Sequence, residues 1–464
     1  MTTPAPGPAE RPLFAAPVTS LRRRADGCVL LSSGTALPAY WTSVAAMFRA
    51  SAATRPERVL AAEREGDGWQ TVTWAGARAA ADAVGQSLLD RKLGERPVMI
   101  LSGNSIDHLL LVLGAHTAGV PVVQVSVAYS LQSRDHAKLR EIVELADPGL
   151  VFAGDGDAFA AAVDAGGAAA EVVTSSGTVA GRSATAFSEL TRASPTPELE
   201  RRYAEQTPDT VIKILFTSGS TGRPKGVLNT NRMLCANQQM VRQVWPFLAH
   251  EPPVLLDWLP WSHTFGGNHN LNVEIKLVPV GDETEIRVKG PNVTPGYYWR
   301  PDLTAAAFDD EGFYRTGDAV RLLDASSPES GLRFDGRIAE DFKLSTGTWV
   351  SVGTLRVALL SAAEGLLQDA VLAGHDGDYA AALAWLNRGA GSSRQVVRLL
   401  LVEAPPSLDS GEITDKGYVN QRAVLHHRSA LVDALYADPP PAEVICWPAG
   451  PARGARSDPA RVDR

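Results

Sequence analysis

Residues 211–240, VIKILFTSGSTGRPKGVLNTNRMLCANQQM, restrict what this chain can fold into more than any other stretch. Positions 211–217 are β-branched and apolar, which suits a buried strand. The run passes into Ser218, Gly219, Ser220, Thr221, Gly222, Arg223, Pro224, Lys225 and Gly226. Apolar residues then recur at Met233, Leu234, Met240, Val241 and Val244, the spacing of an amphipathic helix. A strand, a glycine- and hydroxyl-rich loop with one lysine, and then a helix make a phosphate cradle. Glycines let backbone N–H groups surround an anion, the hydroxyls donate, and the lysine adds a point charge. A Walker A loop is excluded, because Lys225 is followed by glycine and the glycine spacing is wrong. For the loop taken alone, a plain strand-to-helix linker is an equally good reading.

At 464 residues the chain is too long for one ordinary core, so two or more domains are expected. The 45% hydrophobic and 21% charged content is that of a soluble globular protein. A net charge of −8 supplies no basic excess for nucleic acid. Cys28, Cys235 and Cys446 form no CxxC pair, which argues against a disulfide scaffold or zinc cluster and fits a cytoplasmic location. The N-terminal residues lack a basic segment followed by an apolar core, so no signal peptide is expected. Residues 108–131 carry no Asp, Glu, Lys or Arg, but Gly119-Val120-Pro121 divides them into a buried helix and a buried strand rather than a membrane span.

In chain order, residues 1–35 read as an irregular Pro- and Ala-rich extension with a solvated run at Arg22-Arg23-Arg24. A helix is expected over 41–55 and a strand over 69–74. Strands over 97–101, 120–126, 149–153 and 171–174 then alternate with helices over 105–117, 134–145 and 159–163. That rhythm implies parallel βαβ units, whose ligands sit at the carboxyl ends of the strands. Residues 177–207 read as a polar link and 254–261 (VLLDWLPW) as another buried strand. Strands over 273–278 and 284–288 form a pair, 419–436 is helical, and the residues after Asp438 read as disordered.

The string TSGSTGRPKG resembles the phosphate-binding signature of the adenylate-forming enzymes, the superfamily of acyl- and aryl-CoA synthetases, luciferases and peptide-synthetase adenylation domains. Further strings agree with it. Pro260, His263 and Gly266 match a PxxHxxG-like element, so the resemblance implies that His263 helps wall the substrate carboxylate's site, with Trp261 or Phe265 near an aromatic acyl group. Asp318 of Tyr314-Arg315-Thr316-Gly317-Asp318 matches the aspartate that accepts both ribose hydroxyls of ATP, a task suited to a carboxylate's several lone pairs. Arg337 matches the arginine at the hinge to the small domain, which meets the ribose or phosphate. Ala339 stands where many members carry an acidic or lysine pivot, with Glu340 and Asp341 beside it. Lys416 of Gly411-Glu412-Ile413-Thr414-Asp415-Lys416-Gly417 matches the mobile catalytic lysine.

Within the superfamily the strings look most like the feruloyl-CoA synthase branch, over about residues 41–438. The resemblance implies an α/β fold: a large domain over 36–336 with parallel βαβ sheets, a small mobile α+β domain over 337–438, and a tail over 439–464. It implies an ATP-dependent carboxylate–CoA ligase acting on ferulate or a related hydroxycinnamate, with ATP, Mg2+ and CoA as partners. Catalytic roles fall to Lys416 and His263. Nucleotide contacts fall to Thr217, Ser218, Gly219, Ser220, Thr221, Gly222, Lys225, Asp318 and Arg337. One departure stands out. Relatives hold a long block between the His263 element and the strand pair, including a YGxTE-like string whose aromatic residue stacks on adenine and whose glutamate binds Mg2+. Here Asn272 runs directly into Val273 and no such string occurs, so no metal ligand is assigned. A catalytically impaired relative that only binds nucleotide or acyl-CoA is the alternative expectation.

Overall fold

The computed structural model describes residues 13–167, 169–217, 223–249, 254–256, 259–262, 273–281, 283–346, 348–362, 369–375, 380–381, 397–402, 404–415 and 417–446. Its elements begin with β1 (Thr19–Arg23), β2 (Val29–Ser33), α1 (Val44–Thr54), β3 (Val59–Glu65), β4 (Gly68–Thr73) and α2 (Trp74–Asp90). Next come β5 (Val98–Leu101), α3 (Ile106–Ala118), β6 (Val122–Gln124), α4 (Val127–Leu131), α5 (Ala137–Ala146), β7 (Leu150–Asp155), α6 (Gly156–Gly166) and β8 (Glu171–Ser176). They are followed by β9 (Ala184–Ala186), α7 (Phe187–Leu190), α8 (Pro197–Ala204), β10 (Val211–Thr217), β11 (Lys225–Thr230) and α9 (Asn231–Val244). Then come β12 (Glu274–Val280), β13 (Glu283–Lys289), α10 (Pro301–Ala307), β14 (Tyr314–Leu322) and β15 (Leu332–Arg337). The last are β16 (Phe342–Lys343), β17 (Trp349–Val350), α11 (Val352–Ala362), β18 (Arg398–Leu400), α12 (Gln421–His427), α13 (Ser429–Tyr436) and β19 (Val444–Cys446).

The class is α/β. Two compact units are formed, Met1–Thr316 with Leu322–Leu332, and Gly317–Arg321 with Arg333–Arg464. In the first unit a seven-stranded sheet has the order β11-β10-β6-β5-β7-β8-β9. The strands β10, β6, β5, β7, β8 and β9 run parallel, and β11 closes one edge antiparallel to β10. Strand β5, VMIL, is buried at every position, as a parallel strand covered on both faces must be. Val98 and Ile100 of β5 join Leu150 and Phe152 of β7 in one cluster with α2 and α3. The alternate residues Met99 and Val151 are buried as well, so both faces of the sheet are covered. Helices α2 and α3 meet closely because Gly114 has no side chain: a Cβ there would stand 2.5 Å from Val84 Cγ1.

Four expectations need correction. The segment 1–35 is not all irregular, since β1 and β2 lie within it and Val29, Leu30 and Leu31 are buried beside β12. Apolar residues in that short stretch find a partner strand, β12, that is distant in sequence. The link over 177–207 contains β9, α7 and α8, each too short to show a period. Helix α8 is nevertheless well signalled, by Thr196 capping Glu198 N and by proline in its first turn. Residues 254–256 are not a buried strand: Val254, Leu255 and Leu256 are 98%, 79% and 88% exposed, and among the described residues no strand pairs with them. Finally, the residues after 438 are not all disordered, because β19 pairs antiparallel with β18.

The second unit has its own core, in which Phe342, Leu344, Val350, Val352, Leu355, Leu359 and Leu372 pack together. The Gln421 amide clasps the Leu372 backbone in both directions, donating to its carbonyl at 2.6 Å and accepting from its N–H at 3.3 Å. Among the described residues no helix is long and apolar enough to cross a membrane.

Candidate active site

The glycine-rich loop does not lead from a strand into a helix. Instead the described residues on its two sides pair: β10 and β11 form an antiparallel hairpin in which Thr217 and Lys225 are register partners. Helix α9 starts six residues beyond Lys225, where Thr230 Oγ1 accepts the Met233 N–H. The β-branched and apolar run of VIKILFT hides this, because the residues GVLNT after the loop look like a helix lead-in until their pairing with β10 is known. The position is still that of a ligand loop, at the carboxyl end of a strand running parallel to β6 and β5. Ser218, Gly219, Ser220, Thr221 and Gly222 lie outside the described residues, and so does His263.

The segment around Gly296 is laced to β11. Tyr298 N–H donates to Gly226 O at 2.7 Å, Leu228 N–H to Gly296 O at 3.1 Å, and Thr294 Oγ1 to Leu228 O at 2.8 Å. This brings Tyr297 under the hairpin, with Lys225 Nζ 5.9 Å from its ring centre. The Tyr297 hydroxyl is hydrogen-bonded to that of Tyr314 at 2.9 Å. Lys225 is thereby joined to the start of the YRTGD string through one aromatic residue that sequence reasoning did not single out. Its signal was available, in the Pro-Gly-Tyr-Tyr turn whose Gly296 takes a φ of 149°.

Asp318 and Arg337 belong to the second unit and form an ion pair, Arg337 Nε to Asp318 Oδ1 at 3.3 Å. Gly317, at φ 72°, turns the strand so that its carbonyl accepts the Ile338 N–H at 3.0 Å, which fixes the two segments side by side. Asp335 and Asp341 brace the same junction. Arg321 pairs with Asp335, Ser351 Oγ donates to Asp335 O at 3.0 Å, and Val352 N–H donates to Asp341 Oδ1 at 2.7 Å. The Asp318 carboxylate can accept hydroxyl protons and the guanidinium can meet an anion, each at the cost of their mutual pair.

Lys416 lies outside the described residues, but its flanks are tightly held. Thr414 N–H donates to Tyr418 O at 2.8 Å, and Asn420 N–H donates to Glu412 O at 2.7 Å. Glu412 is 5% exposed and takes a two-point contact from Arg428, at 2.8 and 2.7 Å. That contact holds its carboxyl down to about 2.

A further cluster went unread in the sequence. Lys213 of β10 points into the face covered by α3, is 6% exposed, and donates to Trp261 O at 3.2 Å. Burial alone lowers its ammonium to about 8. His108 and His116 of α3 stand close enough that its charge adds to the burial that lowers them to about 4 and about 3. His108 Nδ1 lies 2.9 Å from Gly103 O and its Nε2 2.7 Å from Gln124 Nε2. A carbonyl only accepts, so the neutral ring carries its proton on Nδ1 and accepts from Gln124 at Nε2. Among the described residues no cluster of three or more His, Cys, Asp or Glu side chains is placed to hold a metal ion.

A family profile described as AMP-binding enzyme matches residues 48–275, which include the glycine-rich loop and end before Asp318. Bacitracin synthase 3 of Bacillus licheniformis is 32% identical over 186 residues, covering 36% of this chain and 3% of that protein. The medium-chain fatty-acid–CoA ligase of Escherichia coli (strain K12) is 47% identical over 60 residues, 11% of each chain. This chain therefore spans only a small part of the curated relatives it matches. The A-PCP didomain of carboxylic acid reductase from Segniliparus rugosus, solved in complex with AMP, superposes with a TM-score of 0.62 at 15% identity. That match covers 86% of this chain and 82% of the other, and it is a likeness of fold.

Proposed function

We propose that this chain, matched to the AMP-binding enzyme family over residues 48–275, is an ATP-dependent acid–thiol ligase that works through an acyl-adenylate. The observation that carries the reading is the TSGSTGRPKG hairpin, closed by the Thr217–Lys225 pair at the carboxyl end of a parallel sheet inside the matched region. In the first half-reaction a carboxylate oxygen attacks the α-phosphorus of ATP, and the bond to pyrophosphate breaks. Backbone and hydroxyl donors over 217–222, Lys225 and Lys416 oppose the charge that grows on the phosphoryl oxygens, while Asp318 and Arg337 hold the ribose. In the second half-reaction a thiolate attacks the acyl carbon and AMP leaves. Residues 337–438 act as the mobile small domain that exchanges the two half-reactions.

CoA is the proposed thiol, and ferulate or another hydroxycinnamate the proposed acid, with His263, Trp261 and Phe265 lining the acyl site. Mg2+ enters with ATP as part of the substrate complex. Pyrophosphate release on mixing ferulate, ATP and Mg2+, followed by mass detection of feruloyl-CoA when CoA is added, tests both halves. A second reading has its own support: the YGxTE-like string is absent, and Val254, Leu255 and Leu256 stand in solvent where a buried strand was expected. On that reading the chain is a catalytically impaired relative that only binds nucleotide or acyl-CoA. Nucleotide binding without any pyrophosphate release from a panel of acids would select it.

A further inference from the structure

We propose that Lys213 is a positioning residue for the acyl site, clamping the turn at 259–262 from which the His263 element departs. The proposal rests on the ligase reading for what the turn leads to, and on geometry for the clamp itself. Three side chains converge on Trp261 and its neighbours. Lys213 Nζ donates to Trp261 O at 3.2 Å from β10. Asn104, just before α3, brackets the same turn, donating from Nδ2 to Leu259 O at 2.8 Å and accepting the Trp261 N–H at Oδ1 at 3.2 Å. The His108 ring meets the indole edge-on, with centres 5.0 Å apart. The turn has no regular secondary structure to hold it, so these side chains do.

Lys213 suits this task and no obvious other. A lysine in the middle of a buried strand costs stability unless its charge is answered, and among the described residues no carboxylate pairs with it. The groups facing it are His108 and His116 from α3 and Gln124 from β6, with Asn229 its register partner on β11, and the histidines stay neutral near pH 7. The Trp261 carbonyl is its one described hydrogen-bond acceptor, and an ammonium makes that bond stronger than a neutral donor would. The clamp should therefore loosen as the ammonium loses its proton above about pH 8.

Amide hydrogen exchange of the full chain, read by mass spectrometry and corrected for intrinsic rates, tests this without requiring turnover. Lys213→Met should raise exchange of the 259–262 amides at least about tenfold, with β5 and β7 unchanged, because a buried charge-assisted bond is lost. Lys213→Arg should stay within a few-fold of wild type. Asn104→Ala, which cuts the other anchor, should raise exchange in the same turn. In the wild type, protection of the turn should fall between pH 7 and 9.5 while β5 holds. Unchanged protection of the turn in Lys213→Met, or a pH series in which turn and β5 move together, overturns the clamp. If Lys213→Met does not fold, the wild-type series and Asn104→Ala decide it. Where acid-dependent turnover is present, Lys213→Met should raise KM for the acid more than it lowers kcat. Absence of turnover in wild type removes the ligase reading and leaves the clamp to stand on exchange.

Discussion

The two buried histidines of α3 make the chain's stability depend on pH in a way that can be worked out in advance. Burial lowers His108 to about 4 and His116 to about 3, from 6.5 in the unfolded chain. Between pH 6.5 and 4 the unfolded chain therefore binds protons that the folded chain refuses. Stability is fully present above 6.5 and falls as the pH falls through this window. Each histidine costs up to about 1.4 kcal/mol per pH unit, or about 2.7 kcal/mol per unit for the pair, and the slope lessens below pH 4 as His108 saturates. His116→Leu puts an apolar side chain into a buried site and removes one titration. Urea denaturation of the full chain, with the 98–217 sheet followed by hydrogen exchange, should show the loss of stability from pH 6 to 5 roughly halved. His116→Leu together with His108→Leu should remove this limb, leaving the carboxylates that titrate lower, such as Glu412. An unchanged slope from pH 6 to 5 in His116→Leu would mean that the ring is already charged or already hydrated in the folded state, contrary to its burial.

Other outcomes follow from single contacts. Gly114→Ala should destabilise the first unit by about 1–3 kcal/mol in denaturant titrations, because the new Cβ would stand 2.5 Å from Val84 Cγ1 and 3.0 Å from Ala81 O. Thr230→Ala should cost about 1 kcal/mol by removing the cap of α9, with no change in the denaturant slope. Asp318→Ala should weaken AMP binding about tenfold in calorimetry, because hydrogen bonds to a charged acceptor are lost. Cys235→Ala, buried on α9 and given no ligand role, should leave that affinity unchanged.

Much of the fold was legible from local patterns. The βαβ rhythm from 97 to 176 appears in the structure within a few residues at each boundary, because buried parallel strands such as VMIL and LVFAGD are continuous apolar runs. The strand pair over 273–288 was legible from its Gly281 turn. What escaped was non-local. Residues 29–31 are buried only because β12, more than two hundred positions away, offers a partner. The short strand β11 carries no local signal, because nothing local distinguishes GVLNT from a loop before a cap. The opposite error came at 254–256, where an apolar run promised a strand that lacks a described neighbour. For the site, motif strings picked out Thr217, Lys225, Asp318 and Arg337, and the structure pairs them two by two. Tyr297 and Lys213 were missed because their roles arise from packing: one lies under the hairpin and the other reaches a carbonyl 48 positions along the chain.

If this chain forms acyl-adenylates, as proposed, isotope exchange between pyrophosphate and ATP detects it without depending on the thiol acceptor. The full chain is incubated with ATP, Mg2+, labelled pyrophosphate and one acid at a time, from a panel spanning hydroxycinnamates, benzoates, fatty acids and amino acids. Label should enter ATP only when an acid is present, most strongly with a hydroxycinnamate. Lys416→Ala should slow it about 10²–10³-fold, the loss expected on removing a charge that stabilises the transition state. Folded protein that exchanges no label with any acid, or that exchanges equally without acid, would contradict the proposal.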